Sequence, residues 1–100
     1  MLLEKNDTLL FIGDSISDYE RARPVGEGLF NAWGHSYVAC AGALLGCMYP
    51  ELHLRVINMG VSGNQVRDLD KRWETDVTAH HPDWVSVLIG INDVWRQFDC

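Results

Sequence analysis

Basic residues are scarce: 8 lysines and arginines stand against 14 aspartates and glutamates, for a formal net charge of -6. A surface of that sign repels phosphate backbones and gains nothing at anionic membrane, so neither nucleic acid nor a membrane surface is expected as a partner. Long hydrophobic runs are missing too. Met1-Leu2-Leu3 gives way at once to Glu4, Lys5 and Asp7, so neither a signal peptide nor a membrane span is expected. Cysteine is limited to positions 40, 47 and 100, an odd number. If Cys40 and Cys47 share a helix they stand about 10 Å apart along its axis, too far for a disulfide, and reduced core thiols in a cytoplasmic protein are the expectation. The four histidines, at 35, 53, 80 and 81, have no metal-ligand spacing with these cysteines, so neither a metal nor another cofactor is expected. No linker, repeat or low-complexity tract interrupts the 100 residues, whose 47% hydrophobic content is ordinary for one globular domain.

What is present is organised around Leu9-Leu10-Phe11-Ile12-Gly13-Asp14-Ser15-Ile16-Ser17-Asp18. A short apolar run reads as a buried strand, Thr8 to Ile12, and it stops at a glycine followed by an aspartate and a serine. A serine just past such a strand stands where open parallel sheets bind ligands. Turn formation and helix capping compete for Asp14 and Ser15, since both residue types favour those roles.

A long connection follows from Asp18 to Gly34, in which Arg21 and Arg23 are either solvated or within reach of a substrate. Helical spacing predicts a helix from Ser36 to Tyr49, stopped by Pro50. Leu52 to Met59 reads as a strand buried on both faces and ending at Gly60. Ser62-Gly63-Asn64 then opens a second helix, with Ser62 as its cap and Val66, Leu69, Trp73 and Val77 on one stripe. Its charged remainder is a solvated face, and His80 and His81 close it. Trp84 to Ile89 is a third buried strand, followed by Gly90-Ile91-Asn92-Asp93. The order β-α-β-α-β with right-handed crossovers predicts an α/β fold whose parallel strands all end on one edge.

That topology places three signals side by side: Ser15, Gly60 and Asn92. Acyl transfer from an ester needs a hydroxyl nucleophile and donors aimed at the oxygen that becomes negative, and these residue types can supply both. Gly13-Asp14-Ser15-Ile16-Ser17, Asn58-Met59-Gly60-Val61-Ser62-Gly63-Asn64 and Gly90-Ile91-Asn92-Asp93 resemble, in order and spacing, the first three sequence blocks of the SGNH hydrolases, also called GDSL esterases. The resemblance implies a three-layer αβα, flavodoxin-like domain of which residues 1–100 are the N-terminal portion. It implies Ser15 as nucleophile, and the Ser15 and Gly60 amides with the Asn92 side chain as oxyanion hole. Within the family, Arg21-Ala22-Arg23-Pro24-Val25-Gly26-Glu27-Gly28, Val66-Arg67-Asp68-Leu69 and Asn92-Asp93-Val94-Trp95-Arg96-Gln97-Phe98-Asp99 look most like bacterial acetylxylan esterases. Substrate-binding candidates are then Asp14, Arg23, Asn64, Asp93 and Trp95, with a small-molecule or oligosaccharide ester as partner; a homo-oligomer is left open.

The family's fourth block, an aspartate two residues before a catalytic histidine, has no match here. His53, His80 and His81 fall at the wrong edge of the sheet, and His35 lies in a loop that can approach Ser15. Without a base a serine hydroxyl is a weak nucleophile, so the chain alone is expected to be inactive or nearly so. Lysophospholipase or thioesterase chemistry of the same superfamily is the alternative. A non-catalytic carbohydrate-binding fragment, using Trp33, Trp84 and Trp95, is another. Anion binding at the Gly60 to Asn64 helix start and metal-assisted hydrolysis through Asp14 and Asp93 are weaker rivals, the first lacking a phosphate-loop lysine and the second lacking histidine ligands.

Overall fold

The computed structural model describes residues 2–96. Strands β1 (Thr8–Gly13), β2 (Arg55–Asn58) and β3 (Trp84–Leu88) form one parallel sheet in the order β2-β1-β3. Helix α1 (Ser15–Asp18) follows β1 directly, α2 (Tyr37–Met48) and α3 (Val66–Asp76) lie in the two crossovers, and α4 (Ile91–Arg96) follows β3. The element order is the expected one. Gln97, Phe98, Asp99 and Cys100, which contribute to the third block's resemblance and to the cysteine count, lie outside the described residues.

β1 takes the centre because its alternate residues bury in opposite directions. Leu10 and Ile12 join Ile57, Met59, Leu69 and Val77 in the core beneath α3. Phe11 points to the other face, where its ring meets Tyr37 of α2 edge to face, centroids 6.0 Å apart. Side chains alternate along a strand, so α2 and α3 cover opposite faces and the layering is αβα. In register, Leu9 pairs with both Val56 and Trp84, and Gly13 pairs with Leu88. The chain steps from β1 to β2 on one side and then crosses to β3 on the other. The carboxyl ends of β1 and β3 therefore flank the point where strand order reverses, which is where open α/β sheets bind ligands.

Several local expectations shift. α2 is capped by Ser36, whose hydroxyl oxygen accepts the Val38 N–H at 3.1 Å. The strand expected over Leu52 to Met59 is confined to Arg55–Asn58, because Leu52 is taken into a 3-10 turn after Pro50 and His53 is left-handed, φ 47°. Ser62 does not cap the second long helix. Gln65 holds that position, and its N–H donates to the Asp68 carboxylate at 2.8 Å.

The largest departure is β3, expected to be buried. Its four apolar residues, Trp84, Val85, Val87 and Leu88, remain between 39% and 49% exposed. The strand pairs with β1 on one side only, and among the described residues no helix covers either of its faces. Trp84, expected in the core, instead donates its indole N–H to Asp7 at 3.0 Å. Cys40 and Cys47, expected as core thiols, are free but exposed on the outer side of α2, beside Leu44 and Met48.

Candidate active site

Gly13 ends β1 and Asp14 starts α1. The Asp14 carboxylate is buried and accepts the Ile16 N–H at 3.0 Å, which satisfies one of the orphan amides of a helix start. Asp14 is thus a cap and not a substrate contact, because no part of its side chain reaches the surface. Ser15, the first residue of α1, is exposed, and neither its hydroxyl nor its amide has a partner among the described residues. It opens into a cleft of about 510 Å³ lined also by Ile16, Tyr19, His35, Tyr37 and Cys40. Beside that cleft the Ser17 and Tyr37 hydroxyls share a hydrogen bond of 2.7 Å.

The other two strand ends are tied to this one. From the loop after β2, the Val61 N–H donates to the Gly13 carbonyl at 3.0 Å. Arg72, reaching down from α3, donates to the carbonyls of Met59 at 2.7 Å and Gly13 at 3.2 Å and to the Asn64 side chain at 2.8 Å. Asn64 in turn accepts, on its backbone carbonyl, the Nδ2 of Asn92 at 3.0 Å. A carboxamide has two N–H donors, so this bond orients Asn92 while its second N–H has no partner among the described residues. The Asp93 carboxylate accepts the Val66 N–H at 3.1 Å and so caps α3 from a neighbouring element.

Gly60 behaves differently from the expected oxyanion donor. Its N–H donates to the Asn58 side chain at 3.0 Å, and the residue is buried. That amide is already spent inside the fold. A Cβ at Gly60 would lie 2.5 Å from the Asp18 nitrogen, so the glycine is needed for close approach of the loop after β2 to α1. Gly63, at the partly exposed tip of the same loop, carries φ 83°. Asn58 is a residue that sequence reasoning missed. Fully buried, it also donates to the carbonyls of Ser17 at 2.7 Å and Trp33 at 2.8 Å, so one side chain joins three segments. Its signal is legible in retrospect, an amide directly after the apolar pair Val56-Ile57 at the end of β2, because a buried polar group needs partners.

Asp18 is the second missed residue. Only 3% exposed, it accepts on Oδ2 from Arg23 Nη2 at 2.6 Å and from both the N–H and the hydroxyl of Ser62, at 2.9 and 3.0 Å. Burial pushes its carboxyl up, but the hydrogen bonds from Arg23 and Ser62 outweigh that and hold the pKa at about 2, against a usual 3.8. Because the folded value is the lower one, the ionised carboxylate contributes stability above about pH 4 that is lost as pH falls toward 2, about 2 kcal/mol in all. Urea unfolding compared between about pH 5 and about pH 2 should show this loss, and Asp18→Asn should remove it from the acid profile. An acid profile unchanged by the substitution would refute the assignment.

The two arginines weighed for substrate contact are structural. Arg21 is 5% exposed, with Nε on the Gly60 carbonyl at 2.8 Å and Nη1 on the carbonyls of Ala22 and Pro24, and burial pulls its pKa down to about 10. Arg23 is half exposed, but its guanidinium is held by Asp18 and by the Arg21 carbonyl, so it does not reach toward Ser15 as a free cation. Trp33 donates to the Val56 carbonyl and packs its ring on Gly42 under α2. Trp95 stays 65% exposed. His35 lines the Ser15 cleft without a hydrogen bond to Ser15, whereas His53, His80 and His81 precede β2 and β3 at the opposite edge. Among the described residues no group of three or more His, Cys, Asp or Glu is placed to hold a metal ion, and no helix is long and apolar enough to cross a membrane.

The model of the GDSL-like lipase/acylhydrolase family matches residues 11–100. An acetylxylan esterase of Geobacillus stearothermophilus is 62% identical over 99 residues, and the chain spans 45% of that relative's length. A crystal structure of an acetylxylan esterase from the same organism superposes with a TM-score of 0.94 over 99% of this chain and 45% of that one, at 62% identity. LAE5, described as an alpha/beta hydrolase enzyme from the metagenome of Lake Arreo, matches at 54% identity and a TM-score of 0.91, covering 96% of this chain and 44% of its own.

Proposed function

The chain belongs to the GDSL-like lipase/acylhydrolase family, and on that premise we propose that it is the N-terminal portion of a serine esterase acting on short acyl esters, with acetylated, xylan-derived sugars as the preferred substrates. One observation carries the reading: an exposed serine at the start of α1, after the central strand, opens a cleft beside the switch point of the sheet. Ser15 Oγ attacks the ester carbonyl, its proton passing to a general base. The carbonyl oxygen becomes negative and takes hydrogen bonds from the Ser15 amide and the uncommitted N–H of Asn92. Collapse expels the alcohol and leaves an acyl-serine that water then hydrolyses. Gly60 stands outside this set because its amide is held by Asn58.

The base lies outside this chain in this reading. The Geobacillus stearothermophilus enzyme is described in catalytic mutants at a serine, an aspartate and a histidine, the last two at positions beyond 100. Its serine mutant is S15A, and identity to this chain falls from 62% to 61% in that variant, consistent with loss of one matched residue among 99. Those roles support Ser15 here, and they support a base supplied by the portion this chain does not span.

Acyl preference is the decisive measurement. The full-length protein should hydrolyse aryl acetates and acetylated xylo-oligosaccharides faster than esters of longer acids. A preference for long chains would replace the sugar-acetate reading with a lysophospholipase or thioesterase one. Failure of a fluorophosphonate to label Ser15 would overturn the serine-esterase reading and favour a carbohydrate binder.

A further inference from the structure

The site contains one buried carboxylate that the esterase chemistry does not use. Asp18 is the last residue of α1, one turn after Ser15, and its partner Ser62 lies 44 residues further along the chain. Two residues beyond Ser62, the Asn64 carbonyl holds the side chain of Asn92. We infer that Asp18 is a positioning residue: through the turn from Ser62 to Asn64 it sets where the Asn92 amide stands relative to the Ser15 hydroxyl. The inference rests on the esterase reading above and deepens it.

Three features carry the assignment. First, the elements being joined cannot hold themselves: α1 has four residues, too few to be stable alone, and the segment from Val61 to Asn64 has no helix or strand of its own. Second, the link is built from charge-assisted bonds, 2.9 Å from the Ser62 N–H and 3.0 Å from its hydroxyl, and such bonds are directional, so it fixes a position as well as a contact. Third, Asp18 Oδ1 is buried with no partner among the described residues. An unsatisfied buried oxygen detracts from what the Oδ2 bonds contribute to folding, whereas gathering three donors on the other oxygen suits the carboxylate to fixing geometry. Arg72 grips the same loop from the other side, at Asn64 and Met59. Asp18 is the grip on the side of the nucleophile.

Geometry matters here because an oxyanion donor acts only within about 2.7–3.1 Å of the developing charge, and a shift of about 1 Å can lower a rate about 100-fold. The test is a double-mutant cycle in the full-length enzyme, with aryl acetate as substrate. Asn92→Ala should lower kcat about 100-fold or more. Asp18→Asn should lower kcat about 10- to 100-fold and leave KM within about 3-fold. Acting through Asn92, Asp18→Asn should cost less than about 3-fold more once Asn92 is already alanine.

Losses that multiply fully, or no loss in Asp18→Asn, would overturn the positioning role while leaving the esterase reading intact. No loss in Asn92→Ala would overturn the oxyanion assignment and the positioning role with it. Should Asp18→Asn fail to fold, Ser62→Ala keeps the Asp18 to Arg23 pair and the backbone bond. It should then show the same non-additivity with Asn92→Ala at a smaller loss, about 3- to 10-fold, and full additivity there overturns the proposal as well.

Discussion

Replacing Ser15 by alanine in the full-length protein is expected to lower kcat for aryl acetate by about 10⁴-fold or more, while folding and substrate binding persist. The size of the effect follows from the division of labour at the strand ends. Without the hydroxyl no acyl-enzyme forms, and what remains is the weak assistance of the oxyanion donors to direct attack by water. Stability should hardly move, because the side chain of Ser15 is exposed and bonds to nothing among the described residues. Labelling by a fluorophosphonate should vanish in the same variant. Ser62→Ala is the informative contrast. Its hydroxyl bonds Asp18 and not a substrate, so it should retain labelling and lose only about 3- to 10-fold in turnover. A dead Ser62→Ala beside an active Ser15→Ala would reverse the assignment.

Gly60→Ala is expected to be severely damaging, costing about 3 kcal/mol or more. Its Cβ would meet the Asp18 nitrogen at 2.5 Å, the Ser17 Cβ at 2.8 Å and the Ser17 carbonyl carbon at 2.9 Å. Two of those three atoms are backbone, and they belong to the helix that carries Ser15, so relief of the clash must move α1 itself. Gly46, inside α2, supplies the control. A Cβ there meets nothing within 4 Å, so Gly46→Ala should stabilise the helix by about 0.5–1 kcal/mol. Urea unfolding of both variants checks the pair. A Gly60→Ala protein as stable as the parent would mean that the α1 contact is not rigid.

The layout was readable because it depends on local patterns. An apolar run, a glycine and a helical stripe, repeated along the chain, suffice to order β1, α2, β2, α3 and β3 and to put their polar ends on one edge. The exposed nucleophile follows from the same logic, since Ser15 comes directly after a strand. What escaped depends on partners remote in the sequence. A glycine after a strand looks like an available amide until Asn58, two residues before it, turns its side chain back to take the hydrogen. Ser62 has the composition of a helix cap, and only folding reveals Asp18 as its partner, 44 residues away. Burial of β3 and of Cys40 and Cys47 fails for another reason. Apolar composition records what a segment tolerates, and it does not record whether anything lies on top of it.

The bare flank of β3 has a practical corollary. A short, greasy ribbon whose outer row of peptide donors and acceptors is unfilled among the described residues is a template for any extended polypeptide that drifts by. Purified alone, these 100 residues will behave as a sticky solute whose losses grow with concentration, and the acidic charge of -6 will slow that clumping most in dilute, low-salt buffer.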